Sequence, residues 1–239
     1  SGAKTGWEGL VSDDPSMPEP KVVVVSDREP LLRDISVTLN PDTPEWPGDT
    51  PFTCGWASSM AAGASVNVSS FNSSPHVGTH ADAPLHVREG WSGSHELSLE
   101  AFYGPAIVVD VSSLSKEIDI EDLEKIQSLP FVERLLLRTG RTIASGAFPE
   151  DWPTLSESCV RTLLGRGLIL LGVDSPSVDP RDSKNLPVHT MLFSGNAAIL
   201  ENLDLRRITP TMYELMAFPL KLMALDAAPV RAVLRQIVV

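Results

Sequence analysis

Short apolar, β-rich runs recur along the chain at Val22–Val25, Ala106–Val111, Leu135–Arg138, Leu168–Val173, Met216–Leu220 and Val230–Val239, and each reads as a strand. Helical periodicities lie between several of them. Over Asp119–Gln127, Ile120, Leu123 and Ile126 fall three residues apart behind Asp119, a suitable N-cap. Thr154–Gly165 opens with a capping box, Thr154 with Glu157, and then sets Val160, Leu163 and Leu164 on one face. Gly165 or Gly167 closes that helix. A third short helix is expected to start at Pro187, a residue favoured at the first helical position. No internal repeat breaks the pattern. Strands and helices mixed without strict alternation predict an α/β or α+β single domain.

One stretch departs from this pattern. Thr50–Ala81 runs for 32 residues without an Asp, Glu, Lys or Arg, and it contains seven serines and three glycines. Uncharged backbone rich in small residues predicts a buried or tightly packed segment. Charge is uneven elsewhere too. The net charge is −12, and residues 1–50 hold ten acidic against four basic residues together with seven prolines. That composition predicts an extended, acidic N-terminal arm over residues 1–32 ahead of a domain at 33–239. The overall negative charge argues against a nucleic-acid partner, because on average its field would repel a phosphate backbone. No apolar run is long enough to predict a membrane span. Cys54 and Cys159, with no CxxC, form no disulfide framework and fit a reducing cytoplasm. Cys54 reads as a small buried residue or as a thiol in a pocket.

The charge-free stretch leads into the densest chemistry in the sequence. Three of the five histidines fall within His76-Val77-Gly78-Thr79-His80-Ala81-Asp82-Ala83-Pro84-Leu85-His86. Neutral imidazole and carboxylate are the usual ligands of zinc, manganese and iron. Gly78 and Pro84 argue against a helical HExxH arrangement, and Val77 stands where that motif needs its glutamate. An irregular strand or loop fits better, with His80 and Asp82 pointing to one side of extended chain. A metal site needs more ligands than this segment supplies. His189 and Glu201, weak as separate signals, raise the set of His76, His80 and Asp82 to five, enough for two metals sharing a water or hydroxide.

The segment HVGTHADAPLH resembles the HxGTHxDxPxH signature of the cyclase-like metal-dependent hydrolases. Flanking segments extend the likeness over about residues 33–235 and favour the bacterial kynurenine formamidase (arylformamidase) branch. They are Asp34–Ser36, Trp46–Pro51, Leu137–Gly140, Gly172–Asp179, Ile199–Leu203, Pro219–Lys221 and Ala228–Ala232. The resemblance implies a swivelling β/β/α fold and a homo-oligomer, most simply a dimer. It implies that His76, His80, Asp82, His189 and Glu201 hold a pair of metal ions, that His86 is the catalytic acid/base, and that Trp46 walls the substrate pocket.

The implied reaction is hydrolysis of N-formyl-L-kynurenine to L-kynurenine and formate by a metal-activated hydroxide. The aryl amine leaves poorly unless protonated, and an imidazole suits a group that takes and gives a proton. Alternatives stay open at this stage. His86 could be a sixth ligand. Trp46, next to Pro47, could be a packing anchor. Asp174 and Asp179 read as partners of ligating histidines or as turn formers, and His95 reads as structural. Three imidazoles and two carboxylates suit zinc and admit manganese or iron. A related lactam hydrolase such as an isatin hydrolase would use the same chemistry, and a metal- or small-molecule-binding protein could share the scaffold. A binder, however, needs no acid/base at position 86.

Overall fold

The computed structural model describes residues 31–237. The strand expected at Val22–Val25, and most of the acidic arm, lie outside the described residues. In chain order the elements are β1 (Leu32–Asp34), β2 (Thr53–Ser58), β3 (Val68–Asn72), β4 (His80–Asp82), β5 (Tyr103–Asp110), α1 (Glu124–Gln127), β6 (Arg134–Arg138), α2 (Glu157–Gly165), β7 (Leu170–Val173), α3 (Pro187–Ser194), β8 (Ala198–Glu201), β9 (Met212–Met216), β10 (Ala227–Pro229) and β11 (Val233–Gln236). No helix among the described residues is long and apolar enough to cross a membrane.

Among the described residues the main sheet has nine strands in the order β1-β11-β9-β5-β6-β7-β8-β4-β10. The central pairs β5–β6, β6–β7 and β7–β8 are parallel, and the flanking pairs are antiparallel. Alternation along each strand feeds two cores. Ile107, Val109, Leu135, Leu137, Leu171, Val173 and Ile199 face α2 and α3 with Val160, Leu163, Val188 and Leu192. Ala106, Val108, Leu136, Leu170 and Leu200 point the other way, toward Ile35, Phe102, Leu203, Leu215 and Leu234. Burial on both faces explains why the parallel strands read as continuous apolar runs.

The tail departs from its expected form. Within Val230–Val239 the described strand is β11 alone, Val233–Gln236; β10 precedes the run at Ala227–Pro229, and Val230–Ala232 carry the chain from one to the other. Laid flat at about 4.8 Å per strand, β10 and β11 would stand about 34 Å apart, while the connecting residues reach at most about 14 Å. The sheet therefore curls until its two ends approach, and Ser36 Oγ fastens the closure by accepting from Ala232 N at 2.7 Å. Pro229 sits on the edge strand, where no ladder N–H is needed. The run at Met216–Leu220 is also corrected. The strand is Met212–Met216, with Tyr213 and Leu215 inward, and the chain leaves it before Pro219, where Phe218 and Leu220 are exposed.

The helices follow the sequence with shifted starts. The Asp119 segment is a 3-10 turn at Ile120–Asp122 followed by the short α1, and Asp122 Oδ2 accepts from Asp119 N at 2.9 Å. Helix α2 is capped by Ser156, whose Oγ accepts from Cys159 N at 3.1 Å, and not by Thr154. The Thr154 carbonyl is already engaged by Ile118 N in a β-bridge connection, which holds that backbone extended. Helix α3 begins at Pro187 as expected.

Residues 55–70 belong to a second compact unit, separate from the one that holds residues 31–54 and 71–237. It carries the distal part of the two-stranded β2–β3 sheet, with a 3-10 turn at Met60–Ala62 closed by Gly63 at φ 91°. The expectation of burial across Thr50–Ala81 fails here: Trp56, Met60, Val66 and Val68 are exposed, and burial begins only at Val77. Pairing in a hairpin satisfies the backbone without a core, so lack of charge did not mean lack of solvent. Cys54 is likewise exposed rather than buried or in a pocket, while Cys159 is buried. Burial, with Asp119, Glu121 and Asp122 nearby, pushes the Cys159 thiol up to about 12.

Gly78 is the tightest backbone position near β4. It has φ +74°, and an added Cβ would lie 2.4 Å from Leu39 Cδ2. Gly78→Ala is expected to cost about 1–3 kcal/mol, which for a chain of this size lowers Tm by roughly 2–12 °C. An unchanged melting curve would contradict this account of the turn.

Candidate active site

His80 and Asp82 leave β4 on one face, while Ala81 between them enters the core. The register of β4 against β8 sets His80 opposite Glu201. The turn at Gly78 brings His76 back beside them. His76 Nδ1 lies 3.2 Å from His80 Nε2 and 3.1 Å from Asp82 Oδ1, and His80 Nε2 lies 3.2 Å from the same oxygen. Helix α3 presents His189 from the other side, with Nε2 3.1 Å from Asp82 Oδ2 and 3.3 Å from Glu201 Oε1. Glu201 Oε2 faces His80 Nε2 at 3.4 Å. The five residues expected at a metal centre thus converge, with Asp82 in the middle and each of its oxygens turned to a different set of imidazoles.

Each of these three imidazoles has its outer nitrogen fixed. His80 Nδ1 is 2.9 Å from the Gly78 carbonyl, His76 Nε2 is 2.8 Å from Asp226 Oδ2, and His189 Nδ1 is 2.7 Å from Asp179 Oδ2. The acceptors can take only N–H, so the inner nitrogens are left with lone pairs aimed at the cluster in the neutral rings. Asp179 also accepts from Val188 N and His189 N, each at 3.0 Å, so one carboxylate starts α3 and aims its histidine. Asp174 serves a different end. It accepts from Thr139 N and Gly140 N and holds that turn. Burial raises the Asp174 carboxyl against those hydrogen bonds.

Electrostatics favour positive charge in this buried site. Burial would lower His76, but Asp226 and Asp82 raise it to about 10. Burial opposes the charged form of His80 as well, and Asp82 and Glu201 raise it to about 9. His189 is raised well above its ordinary value, against burial, by Asp179, Asp82 and Glu201. Burial would raise Asp82, yet the charge on His80 and the hydrogen bonds from the histidines hold it well below the usual carboxylate range. Asp82 Oδ1 is buried and lacks a well-directed hydrogen bond, even though two ring nitrogens are close. An orphaned carboxylate oxygen among lone-pair donors fits a divalent cation. His76, His80 and Asp82 could hold one, and Asp82 and His189 lie within reach of a common position that His86 also borders.

The cluster floors a cavity of about 510 Å³. His86, on a 3-10 turn at Pro84–His86, lines it, as does Trp46. Trp46 meets Phe148 and Trp152 edge-on, at centroid distances of 5.4 and 5.9 Å, so it is both packed and part of the wall. Trp152 Nε1 donates to the Asp179 carbonyl at 2.9 Å, linking the aromatic group to the segment that aims His189. His95 is outside the lining and accepts from Ala224 N through Nδ1 at 3.2 Å, a structural contact.

Sequence reasoning missed Asp226, Phe148 and Lys184, all on the cavity lining. Asp226 precedes β10 and has no histidine near it in sequence, and only the β4–β10 pairing reveals its place. Phe148 and Trp152 carry no local signal beyond the proline that follows each, Pro149 and Pro153.

Known proteins resemble this chain in sequence and in fold. The family described as "Putative cyclase" matches residues 33–180. A kynurenine formamidase of Bacillus thuringiensis is 44% identical over 204 residues, covering 85% of this chain and 97% of that protein. One from Bordetella pertussis is 41% identical over 207 residues, covering 86% and 98%. Among solved structures, a potential metal-dependent hydrolase with cyclase activity superposes with TM-score 0.72 at 25% identity, over 85% of this chain and 96% of that one. Isatin hydrolase A of Ralstonia solanacearum shares the fold, with TM-score 0.73 at 23% identity over 85% and 90%. With its signature segment on β4 and its curled mixed sheet, the chain belongs to the cyclase family, on the branch of the kynurenine formamidases.

Proposed function

We propose that the protein is a metal-dependent arylformamidase that hydrolyses N-formyl-L-kynurenine to L-kynurenine and formate. The observation that carries the reading is Asp82, a buried carboxylate with an unsatisfied oxygen between two groups of imidazoles. His76, His80 and Asp82 form one ligand group, and Asp82, His189 and Glu201 the other. Asp82 is shared, and the donor set suits two zinc ions and admits manganese. Divalent cations held there supply Lewis acidity toward water and toward the formyl oxygen.

The remaining work falls to side chains of the cavity. His86 Nδ1 is 3.1 Å from Asp226 Oδ2, which leaves Nε2 free to exchange a proton. It takes a proton from the attacking water. It then delivers that proton to the aryl nitrogen as the C–N bond breaks, so that the amine leaves neutral. Trp46 and Phe148 give the aryl ring an apolar wall with exposed edges and faces. Lys184 and Asp49 also line the cavity. Opposite charges there match the α-carboxylate and α-ammonium of an amino-acid substrate, which isatin lacks.

Turnover is read by absorbance as kynurenine forms. Metal-loaded protein is expected to convert formylkynurenine and to lose that activity with chelator, whereas hydrolysis of isatin alone would overturn the substrate assignment. Asp82→Ala should abolish stoichiometric metal in elemental analysis, and retained metal would refute the ligand set. His86→Ala should keep its metal and lose about 10²–10⁴-fold in kcat; if metal is lost instead, His86 is a ligand. Lys184→Ala should raise KM for formylkynurenine about 10-fold, the order of one charge-assisted contact, and leave formanilide unaffected. Equal effects on both substrates would remove Lys184 from substrate recognition.

A further inference from the structure

Asp226 lies beside the cluster, outside the five-residue ligand set, and its geometry is specific. A single oxygen, Oδ2, is 2.8 Å from His76 Nε2 and 3.1 Å from His86 Nδ1. The two rings are tilted against each other with centroids 4.5 Å apart. A carboxylate only accepts, so both nitrogens facing it carry protons. This fixes His86 as the Nδ1–H tautomer, with the Nε2 lone pair left over. It also leaves His76 Nδ1 facing His80 and Asp82.

The backbone makes this placement rigid. Antiparallel pairing of β10 with β4 sets Ala227 opposite Asp82. One peptide unit further along, Ala83 N donates to the Asp226 carbonyl at 2.8 Å, while the Ala83 carbonyl accepts from His86 N at 2.9 Å. The acid/base and its carboxylate therefore hang from the same residue. The preceding loop is held as well. Leu225 O accepts from Ser94 N at 2.8 Å, Leu222 O from Ser94 Oγ at 2.8 Å, and Ala224, at φ 58°, donates to His95. A left-handed alanine in a loop held by three hydrogen bonds, one of them its own, shows a backbone path fixed by its surroundings.

We propose that Asp226 is the positioning residue of the acid/base. It holds His86 in the Nδ1–H tautomer, stabilises the imidazolium formed when Nε2 takes the proton, and ties that ring to His76 through one shared oxygen. An aspartate fixes a catalytic histidine in the same manner in hydrolytic triads. The proposal rests on the formamidase reading for its kinetic consequences, but the tautomer assignment stands apart from it.

The test uses the metal-loaded full chain and a double-mutant cycle. Asp226→Ala, with the isosteric Asp226→Asn as a second variant in case the first folds poorly, is expected to lower kcat about 10–100-fold with KM changed less than twofold and metal content unchanged. Asp226→Ala/His86→Ala should be no slower than His86→Ala alone. The loss should be larger for formanilide than for 4-nitroformanilide, whose amine needs less help from a proton donor. A purely structural role would slow both substrates alike. Multiplying losses in the cycle, equal losses on the two substrates, or loss of metal from the Asp226 variants would overturn the proposal. Nitrogen-15 NMR of zinc-loaded protein labelled at histidine reads the tautomer directly. Protonated Nδ1 at His86 in the wild type, lost in the variants, supports the proposal, and protonated Nε2 in the wild type sinks it. Wild-type protein with the expected tautomer but no activity on any formylated aryl amine would refute the formamidase reading and leave the positioning of His86 by Asp226 intact.

Discussion

Everything in the site is arranged around one buried carboxylate. Asp82 is fully buried, and a lone carboxylate in such a place would be costly as an anion. Three imidazoles turned toward it make the charge tolerable, and the charge in turn raises the proton affinity of those imidazoles. The pocket is thus built for cationic charge before anything binds. The fold's task is to keep these groups together against their own desolvation, and the surrounding contacts serve that end. Gly78 lets the chain fold back, β8 supplies Glu201 in register, and Asp179 anchors α3 with the same carboxylate that aims His189.

The sequence carried the central chemistry in unusually local form. His76, His80, Asp82 and His86 lie in one short segment, and the spacing of His80 and Asp82 reports extended chain because strand periodicity is two. The parallel strands and α3 were legible for similar reasons. Their signals are continuous apolar runs and a proline at a helix start, and neighbours in sequence decide both. His189 and Glu201 carry little signal alone; the need of a metal site for further ligands raised them, and the likeness to a known family then gave them their place on the metal pair.

What stayed hidden depends on distant pairing. Asp226 matters only because β10 lies beside β4, and the curl that places it there follows from how the tail re-enters the sheet. The tail strand starts later than expected because Val230 and Ala232 extend the apolar pattern of Val233 and Leu234 back across the crossing, and nothing local marks where the chain leaves one edge for the other. The start of α2 was misplaced because Thr154 and Ser156 are both good caps, and a β-bridge to Ile118 chose between them. The hairpin misled in the opposite direction. Small uncharged residues are as compatible with a self-paired ribbon as with a core, and composition does not separate the two.

Ala83 has a side chain with no chemistry, yet its carbonyl accepts from the backbone N–H of His86 and its own N–H donates to the backbone carbonyl of Asp226. The separation between imidazole and carboxylate is therefore set at one fully buried residue, between the β4–β10 pairing on one side and the 3-10 turn on the other.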